Sequence, residues 1–451
     1  MRRLFFLLAG AVLAGLPRPG SAQTLTDALI AAYNNNPTLQ AARAQLRATD
    51  EQVPEALSNY RPTVTGTGDA GHEWSNQKSG FFSAGQVTNP RSAGIAITEP
   101  LYRGGRTEAS VERAENLVKA GRASLSATEQ SVLLSAATAY ADVFRDQAVL
   151  DLNISNEQVL RRRLEDTEEQ FKVGIVTKTD VSQAEARLAQ AVADRIQAEN
   201  NLNSSRAVYR NVTGTSPGTL EAPEPVSGVP GTSEEALAGV PQNPSVIAAG
   251  FNELAARQDV RINTGELYPT LSLNGTYDRG DDTVSKGSFQ ESTAVIAQLN
   301  VPIYPGSAAY ARIRAAKQVV QQRRKETEAT ERDTAQSVTQ AFESLTSAQA
   351  QVKSFEKQIQ ANEIALEGVR QEESVGTRTV LDILNAEQEL LDSRVNKVQA
   401  EHDAFVAAVQ LKTAIGRLTA QALDLPVAYY DVNAYYEEVR DKLWGVGDDI
   451  R

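Results

Sequence analysis

Residues 173–199 read VGIVTKTDVSQAEARLAQAVADRIQAE, and residues 375–401 read VGTRTVLDILNAEQELLDSRVNKVQAE. Ten of these 27 positions are identical at a constant offset of 202, among them Val173/Val375, Gly174/Gly376, Asp180/Asp382, Ala184/Ala386 and Glu185/Glu387. The offset holds upstream, where Ala139-Tyr140 matches Ala341-Phe342, and downstream, where Gly214 matches Gly416. Farther upstream Asn36-Pro37 recurs as Asn243-Pro244 and Pro62-Thr63 as Pro269-Thr270 at an offset of 207, and the change of five marks a shorter loop in the second copy. The chain is a tandem duplication, and a period near 200 is far longer than any solenoid repeat.

Working outward, the expected plan is a first repeat over 23–216, a linker over 217–232, a second repeat over 233–416 and a C-terminal segment over 417–451. Six of the 17 prolines fall between Pro217 and Pro244, in a stretch also rich in Gly and Ser, which is a linker signature. Each repeat opens with a helix around its Asn-Pro pair, over 25–57 and 233–265. In the second copy Leu271, Leu273 and Tyr277 alternate with polar residues, as do Val295, Ala297, Leu299, Val301 and Ile303 after a polar loop over 278–290. This period of two predicts strands over 270–278 and 292–304, with weaker counterparts over 63–73 and 92–102 and a loop at about 75–91. Strands of about ten residues suit a tilted membrane-spanning sheet.

Past Gly105 and Gly306 the pattern becomes unbroken helix. Residues 106–172 and 308–375 contain no proline and one glycine each, Gly121 and Gly368, so each run is predicted as a helix about 100 Å long. Shorter helices over 177–213 and 379–415 follow, ending at Gly214 and Gly416, which are placed as C-caps. In the second copy Val338, Leu345, Val352, Ile359 and Leu366 stand seven apart, with Ala341, Ala348, Phe355, Asn362 and Val369 between them: a five-heptad coiled-coil seam with an Asn that fixes register. Asp146 and Glu157 interrupt the equivalent seam of the first copy.

Isolated helices of that length would expose their apolar stripes, so they pack side by side. Four strands leave two open edges, which hydrocarbon does not tolerate, and a closed barrel takes at least about eight strands. The fold class expected is mainly α with a membrane β-barrel portion, an internally duplicated chain whose long coiled-coil helices run on from a barrel closed by several copies.

Arg2 and Arg3, the apolar run Leu4–Leu16 and the small residues around Ser21 and Ala22 have the order of a secretory signal, so residues 1–22 are expected to be a cleaved signal peptide. With 57 Asp+Glu against 45 Lys+Arg, the chain is a poor ligand for nucleic acid. There is no cysteine and there are only two histidines, His72 and His402, so thiolate catalysis, disulfides, zinc clusters and Ser-His relays lack their materials. No catalytic residue, metal site or cofactor is expected. Gly214-Thr215-Ser216-Pro217-Gly218 fits G-x-S-x-G but follows a long helix and enters the linker, which is no nucleophile elbow. Asp278, Asp281 and Asp282 lack the alternating spacing of a calcium loop. Both histidines read as surface residues, and Arg161-Arg162-Arg163, followed by Glu165, Asp166, Glu168 and Glu169, reads as solvated charge pairing.

The signal segment, the duplicated strand-loop-strand-helix plan, and the pair Val173-Gly174-x-x-Thr177-x-x-Asp180 and Val375-Gly376-Thr377-Arg378-Thr379-x-x-Asp382 resemble the TolC family of outer-membrane efflux and type I secretion channels. The resemblance covers nearly all of the mature chain. It implies a homotrimer in the outer membrane of a Gram-negative bacterium, in contact with its lipid. Twelve strands would form the barrel, a helical tunnel would cross the periplasm, and the linker and C-terminal segment would form an equatorial belt. It also implies docking onto a periplasmic adaptor and, through it, an inner-membrane transporter of the RND or ABC class. By the same resemblance the gate falls on the turn between the long and shorter helices: Arg378 would tie to Thr179 and Asp180, and Asp382 would form a ring of three carboxylates. Two positions depart from the family pattern, Asn385 where a second aspartate is expected and Glu373 where a tyrosine is expected. The first should weaken cation affinity, and Glu373 facing Asp180 should ease opening. Val173, Gly174, Val375, Gly376 and Thr377 would receive the adaptor's hairpin tips. A periplasmic coiled-coil adaptor or scaffold is the alternative reading, and the cargo, small molecule or secreted protein, stays open.

Overall fold

A computed structural model of the chain describes residues 23–79 and 82–446. The expected signal peptide, residues 1–22, lies outside the described residues, as do 447–451 of the C-terminal segment. The described part opens with α1 (Leu25–Asn35), α2 (Pro37–Asp50) and α3 (Gln52–Ser58). The single opening helix expected over 25–57 is thus three. Asn36, in an extended conformation, ends α1 and caps α2 by accepting from the amides of Thr38 and Leu39, with Pro37 at the first helical position where its missing N–H costs nothing. Four strands follow, β1 (Thr63–Ala70), β2 (Glu73–Ser79), β3 (Phe82–Thr88) and β4 (Arg91–Tyr102), then the long helix α4 (Arg106–Lys172) and α5 (Lys178–Thr213). The second copy runs α6 (Ser233–Leu237), α7 (Pro244–Thr264), β5 (Thr270–Asp281), β6 (Phe289–Asn300), α8 (Ser307–Ser374) and α9 (Val380–Ala414), and a short α10 (Ala434–Val439) ends it.

The strand expected over 63–73 ends at Ala70, with Glu73 already in the next strand, and two further strand expectations need correction. The loop at about 75–91 is a hairpin, β2 against β3, in register from Glu73↔Thr88 to Trp74↔Val87 and Ser75↔Gln86. The last strand ends at Asn300 rather than 304, before Pro302, which has no N–H to give a ladder.

By contacts the chain divides into two compact units, and each draws on both sequence repeats. One comprises Asn35–Leu134, Val226–Gln349 and Ala407–Arg451. It holds an antiparallel sheet of order β1-β4-β5-β6. Ile95 pairs with Tyr277 and Leu271 with Leu299, with a bulge at Pro100/Tyr102. Every residue of β1 is exposed, and Val295 and Ile296, neighbours that face opposite ways, are 73% and 59% exposed, so β6 is bare on both faces. The antiparallel order brings the start of β1, the end of β4, the start of β5 and the end of β6 to one end of the sheet. Tyr102 ends β4 there, and Tyr60, Tyr268 and Tyr304 flank the other three strand ends, all exposed. The unit's helical core packs Val338, Ala341 and Leu345 of the heptad seam against Ala407, Ala408 and Leu411.

The other unit comprises Met1–Asn34, Ser135–Pro225 and Ala350–Val406. One core packs Ala28, Ala139, Tyr140, Leu202 and Tyr209 together. Gln23 forms a parallel bridge with Leu220, and the Tyr140 hydroxyl lies 2.9 Å from the Gln23 carbonyl and 2.7 Å from that of Glu221, which ties the first described residue to the linker. The seam's Asn362 donates to the Glu389 carbonyl at 3.1 Å, joining α8 to α9. Asp146 and Glu157, which interrupt the first copy's seam, are both paired: Asp146 with Arg145 at 2.8 Å, Glu157 with Arg161 at 2.6 Å and with Arg195 of α5 at 2.7 Å. Charge pairing replaces apolar packing there.

Candidate gate and docking turns

The two interhelical turns lie in this second unit, and both are built from the same pair of devices. At the end of α4 the Gly174 amide donates to the Phe171 carbonyl and the Ile175 amide to that of Gln170, each at 2.9 Å. At the end of α8 Gly376 donates to Glu373 at 2.8 Å and Thr377 to Glu372 at 3.0 Å. This crossed pair of bonds is a Schellman motif, and it needs a left-handed residue; Gly174 has φ +78° and Gly376 +79°. Each following helix starts with a reciprocal cap. The Thr177 amide and hydroxyl donate to Asp180 Oδ2 at 2.8 and 2.7 Å while the Asp180 amide donates back to Thr177 Oγ1 at 3.3 Å. Thr379 and Asp382 repeat the set at 2.9, 2.8 and 3.3 Å. Bonds from the Thr379 backbone and hydroxyl, with Arg378 nearby, hold the Asp382 carboxyl below the usual carboxylate range.

Packing decides which face of α9 is free. Val380 and Leu384, one turn apart, are buried with Leu160 of α4 and Ala191 of α5, while Ile383 and Leu390 are buried against Leu366 of α8. Each such Leu or Ile contributes about 1.5–3 kcal/mol by leaving water, so the helix is held on two sides. Asp382 and Asn385, three apart, share the remaining side, where Asp382 is partly exposed and Asn385 exposed. Asn385 Oδ1 accepts from Arg187 Nη2 of α5 at 2.8 Å.

Arg378 is engaged inside its own turn. Its Nε donates to Glu372 Oε2 at 2.9 Å and its Nη1 stands 3.9 Å from Asp382 Oδ1, and the Glu372 bond raises its pKa. The tie to Thr179 and Asp180 that the resemblance implies is not made among the described residues of this chain: Asp180 caps α5, and Thr179 is exposed beside it. Glu373 is half-buried and gives its carbonyl to the glycine turn. At the turns Val173, Ile175 and Val375 are each more than 70% exposed, an apolar tip that none of the described residues covers.

Three features of this unit are missing from the sequence reading. Glu387 is buried, 3.1 Å from Arg370 Nη2 and 3.8 Å from Arg163 Nη2, so the Arg161-Arg162-Arg163 run is partly an inward clasp. The identity of Glu185 and Glu387 between the copies marks the position but carries no information on burial. The Arg187–Asn385 bond joins residues 198 apart and leaves no local signal. His402 is not a surface residue: its side chain is only 10% exposed, with Nε2 at 2.8 Å from Asp142 Oδ1 and Nδ1 at 2.9 Å from Asp403 Oδ1. Burial opposes its charge, yet bonds to the two aspartates outweigh burial and raise the imidazole pKa. His72 is exposed. Among the described residues no cluster of three or more His, Cys, Asp or Glu is placed to hold a metal ion, and no helix is long and apolar enough to cross a membrane.

Residues 29–215 and 235–417, the two repeats, each match the family pattern of outer membrane efflux proteins. The chain belongs to the outer membrane efflux protein family. Family membership sets aside the adaptor reading and gives the location, the outer membrane. The chain is 34% identical over 442 residues to the outer membrane efflux protein BepC of Brucella suis, covering 98% of this chain and 95% of that protein. To the outer membrane protein TolC of Vibrio cholerae it is 28% identical over 444 residues, with 96% and 98% covered. The solved CmeC outer membrane channel of Campylobacter jejuni superposes with a TM-score of 0.80 over 98% of both chains at 15% identity, a likeness of fold alone.

Proposed function

We propose that this efflux family member is a passive, non-catalytic exit duct in which three copies each lend four strands to a twelve-stranded barrel. The observation that carries this is the sheet β1-β4-β5-β6, whose outer strands β1 and β6 have open edges and whose exposed faces include Val64, Ile97, Val295 and Leu299. Unpaired backbone groups at such edges cost several kcal/mol each in hydrocarbon, and closure against further copies removes them. The tyrosines at one end of the sheet suit the membrane–water boundary, where an aromatic ring meets both lipid and water. The long helices form the periplasmic tunnel, and the linker and C-terminal segment form the belt around it.

The two turns are the working end. Val173, Gly174, Val375, Gly376 and Thr377 present the exposed apolar tips to a periplasmic adaptor, which links the duct to an RND or ABC transporter. Asp382 contributes one carboxylate per subunit to the constriction, and Arg378 restrains it through Glu372 and Asp382, with Glu373 on the same turn and Thr179 and Asp180 on the turn of the first copy. The purified full-length channel in a planar bilayer tests this: small openings blocked by trivalent cations are expected. Arg378→Ala is expected to raise single-channel conductance, and an unchanged conductance removes Arg378 from the gate.

A further inference from the structure

Five arginines near the turns are paired with carboxylates: Arg163 and Arg370 with Glu387, Arg195 with Glu157, Arg378 with Glu372 and Arg394 with Glu363. Arg187 differs. Its Nη2 donates to a neutral amide oxygen, Asn385 Oδ1, at 2.8 Å, and it makes no ion pair among the described residues. An amide fixes where a guanidinium sits and leaves its charge uncompensated, whereas a carboxylate cancels it. Asn385 stands three residues after Asp382 on the free side of α9, and side chains at that spacing have Cβ atoms about 5–6 Å apart. The contact is not part of the duplicated plan. At the offset of 202 the counterpart of Arg187 is Glu389 and that of Asn385 is Gln183, so the link from α5 of the first copy to α9 of the second is made once per chain.

We propose that Arg187 is a selectivity-determining residue of the constriction, a positive charge held beside Asp382 by the Asn385 amide. The inference rests on the reading of Asp382 as lining that constriction. Each subunit then brings one carboxylate and one guanidinium to the mouth, which balances the local field and weakens discrimination between cations and anions. A carboxylate-bearing cargo meets a two-pronged donor there rather than a purely acidic ring.

The test is the reversal potential of the full channel in planar bilayers under a potassium chloride gradient. Arg187→Gln is expected to shift the potassium-to-chloride permeability ratio about tenfold toward potassium, since one unit charge ~6 Å away in water changes the local concentration of each ion about threefold, in opposite directions. Asn385→Asp, which would turn the hydrogen bond into an ion pair, is expected to shift it the same way and serves if the first variant fails to insert. Asp382→Asn is expected to shift it toward chloride. If Asp382→Asn moves the ratio while Arg187→Gln and Asn385→Asp leave it unchanged, the role of Arg187 is overturned and the constriction reading stands. If none of the three moves it, the constriction reading itself fails.

Discussion

At Val173-Gly174 and Val375-Gly376 the copies share a left-handed glycine and a Thr/Asp cap with nearly identical distances, but eleven residues beyond the glycine they diverge. Glu185 is exposed, while Glu387 is buried between Arg370 of its own copy and Arg163 of the other. The positions that would supply the same cations to Glu185 hold Glu168 and Ala365. The difference separates two kinds of requirement. The backbone of a sharp turn can be met in one way, so both copies keep it. Side-chain partners are set by what each helix faces, so they are free to change after duplication.

The comparison breaks most sharply at Glu387. Glu387→Ala leaves two partly exposed arginines without their partner, and loss of a hydrogen bond between charged groups costs about 2 kcal/mol. Hydrogen exchange in the first half of α9 should show that loss, whereas Glu185→Ala should stay within about 0.5 kcal/mol in α5. Equal losses at both sites would mean that burial of Glu387 counts for nothing.

The shared backbone makes the opposite prediction. Ala at either glycine meets no neighbouring atom within 4 Å, so the cost is the left-handed φ alone, about 1–2 kcal/mol. Gly174→Ala and Gly376→Ala should therefore destabilise their hairpins equally by the same exchange measurement. A gap beyond about 1 kcal/mol would show that one turn bears a load the other lacks.

The smallest effect expected is the pH dependence at His402. Both ring nitrogens face carboxylate oxygens, which suits an imidazolium with two N–H donors. Asp142 and Arg145 face it from α4 and Asp403 from α9, with Asp146 behind Arg145. Because the folded pKa is raised above 6.5, the stabilisation is complete below that pH and is lost as pH rises through the folded value. Exchange around Asp142 and His402, corrected for intrinsic rate, should accelerate over that rise, and His402→Gln should flatten the response.

Legibility in the sequence follows the range of the cause. The long helices are written in the absence of proline over 106–172 and 308–375, and their ends in single glycines, both local facts. The heptad seam is legible for the same reason, and Val338, Ala341, Leu345 and Leu366 are buried. The β2–β3 hairpin is not, because Glu73, Ser75, Asn76 and Gln86 are polar and the one apolar cross-strand pair, Trp74 opposite Val87, is too little to give a period-two pattern. The Asn36 cap was open to reading as a break, since Asn before Pro is a helix start. At the working end the glycines and the Thr-x-x-Asp spacing are local, whereas Arg187–Asn385, Arg163–Glu387 and Asp142–His402 join positions 198 to 260 residues apart. Such pairs exist only once the helices lie side by side.

The bridge between Gln23 and Leu220 has a consequence for the order of folding. The unit that contains it is made of three separated stretches, the last of them Ala350–Val406. As the chain emerges N-terminus first, Gln23 must wait for Leu220, and Leu160 and Ala191 must wait for Val380 and Leu384. Contacts so distant in sequence close slowly. Until then the chain has its helices but not their partners, so its apolar stripes depend on whatever shields a newly exported chain from its neighbours.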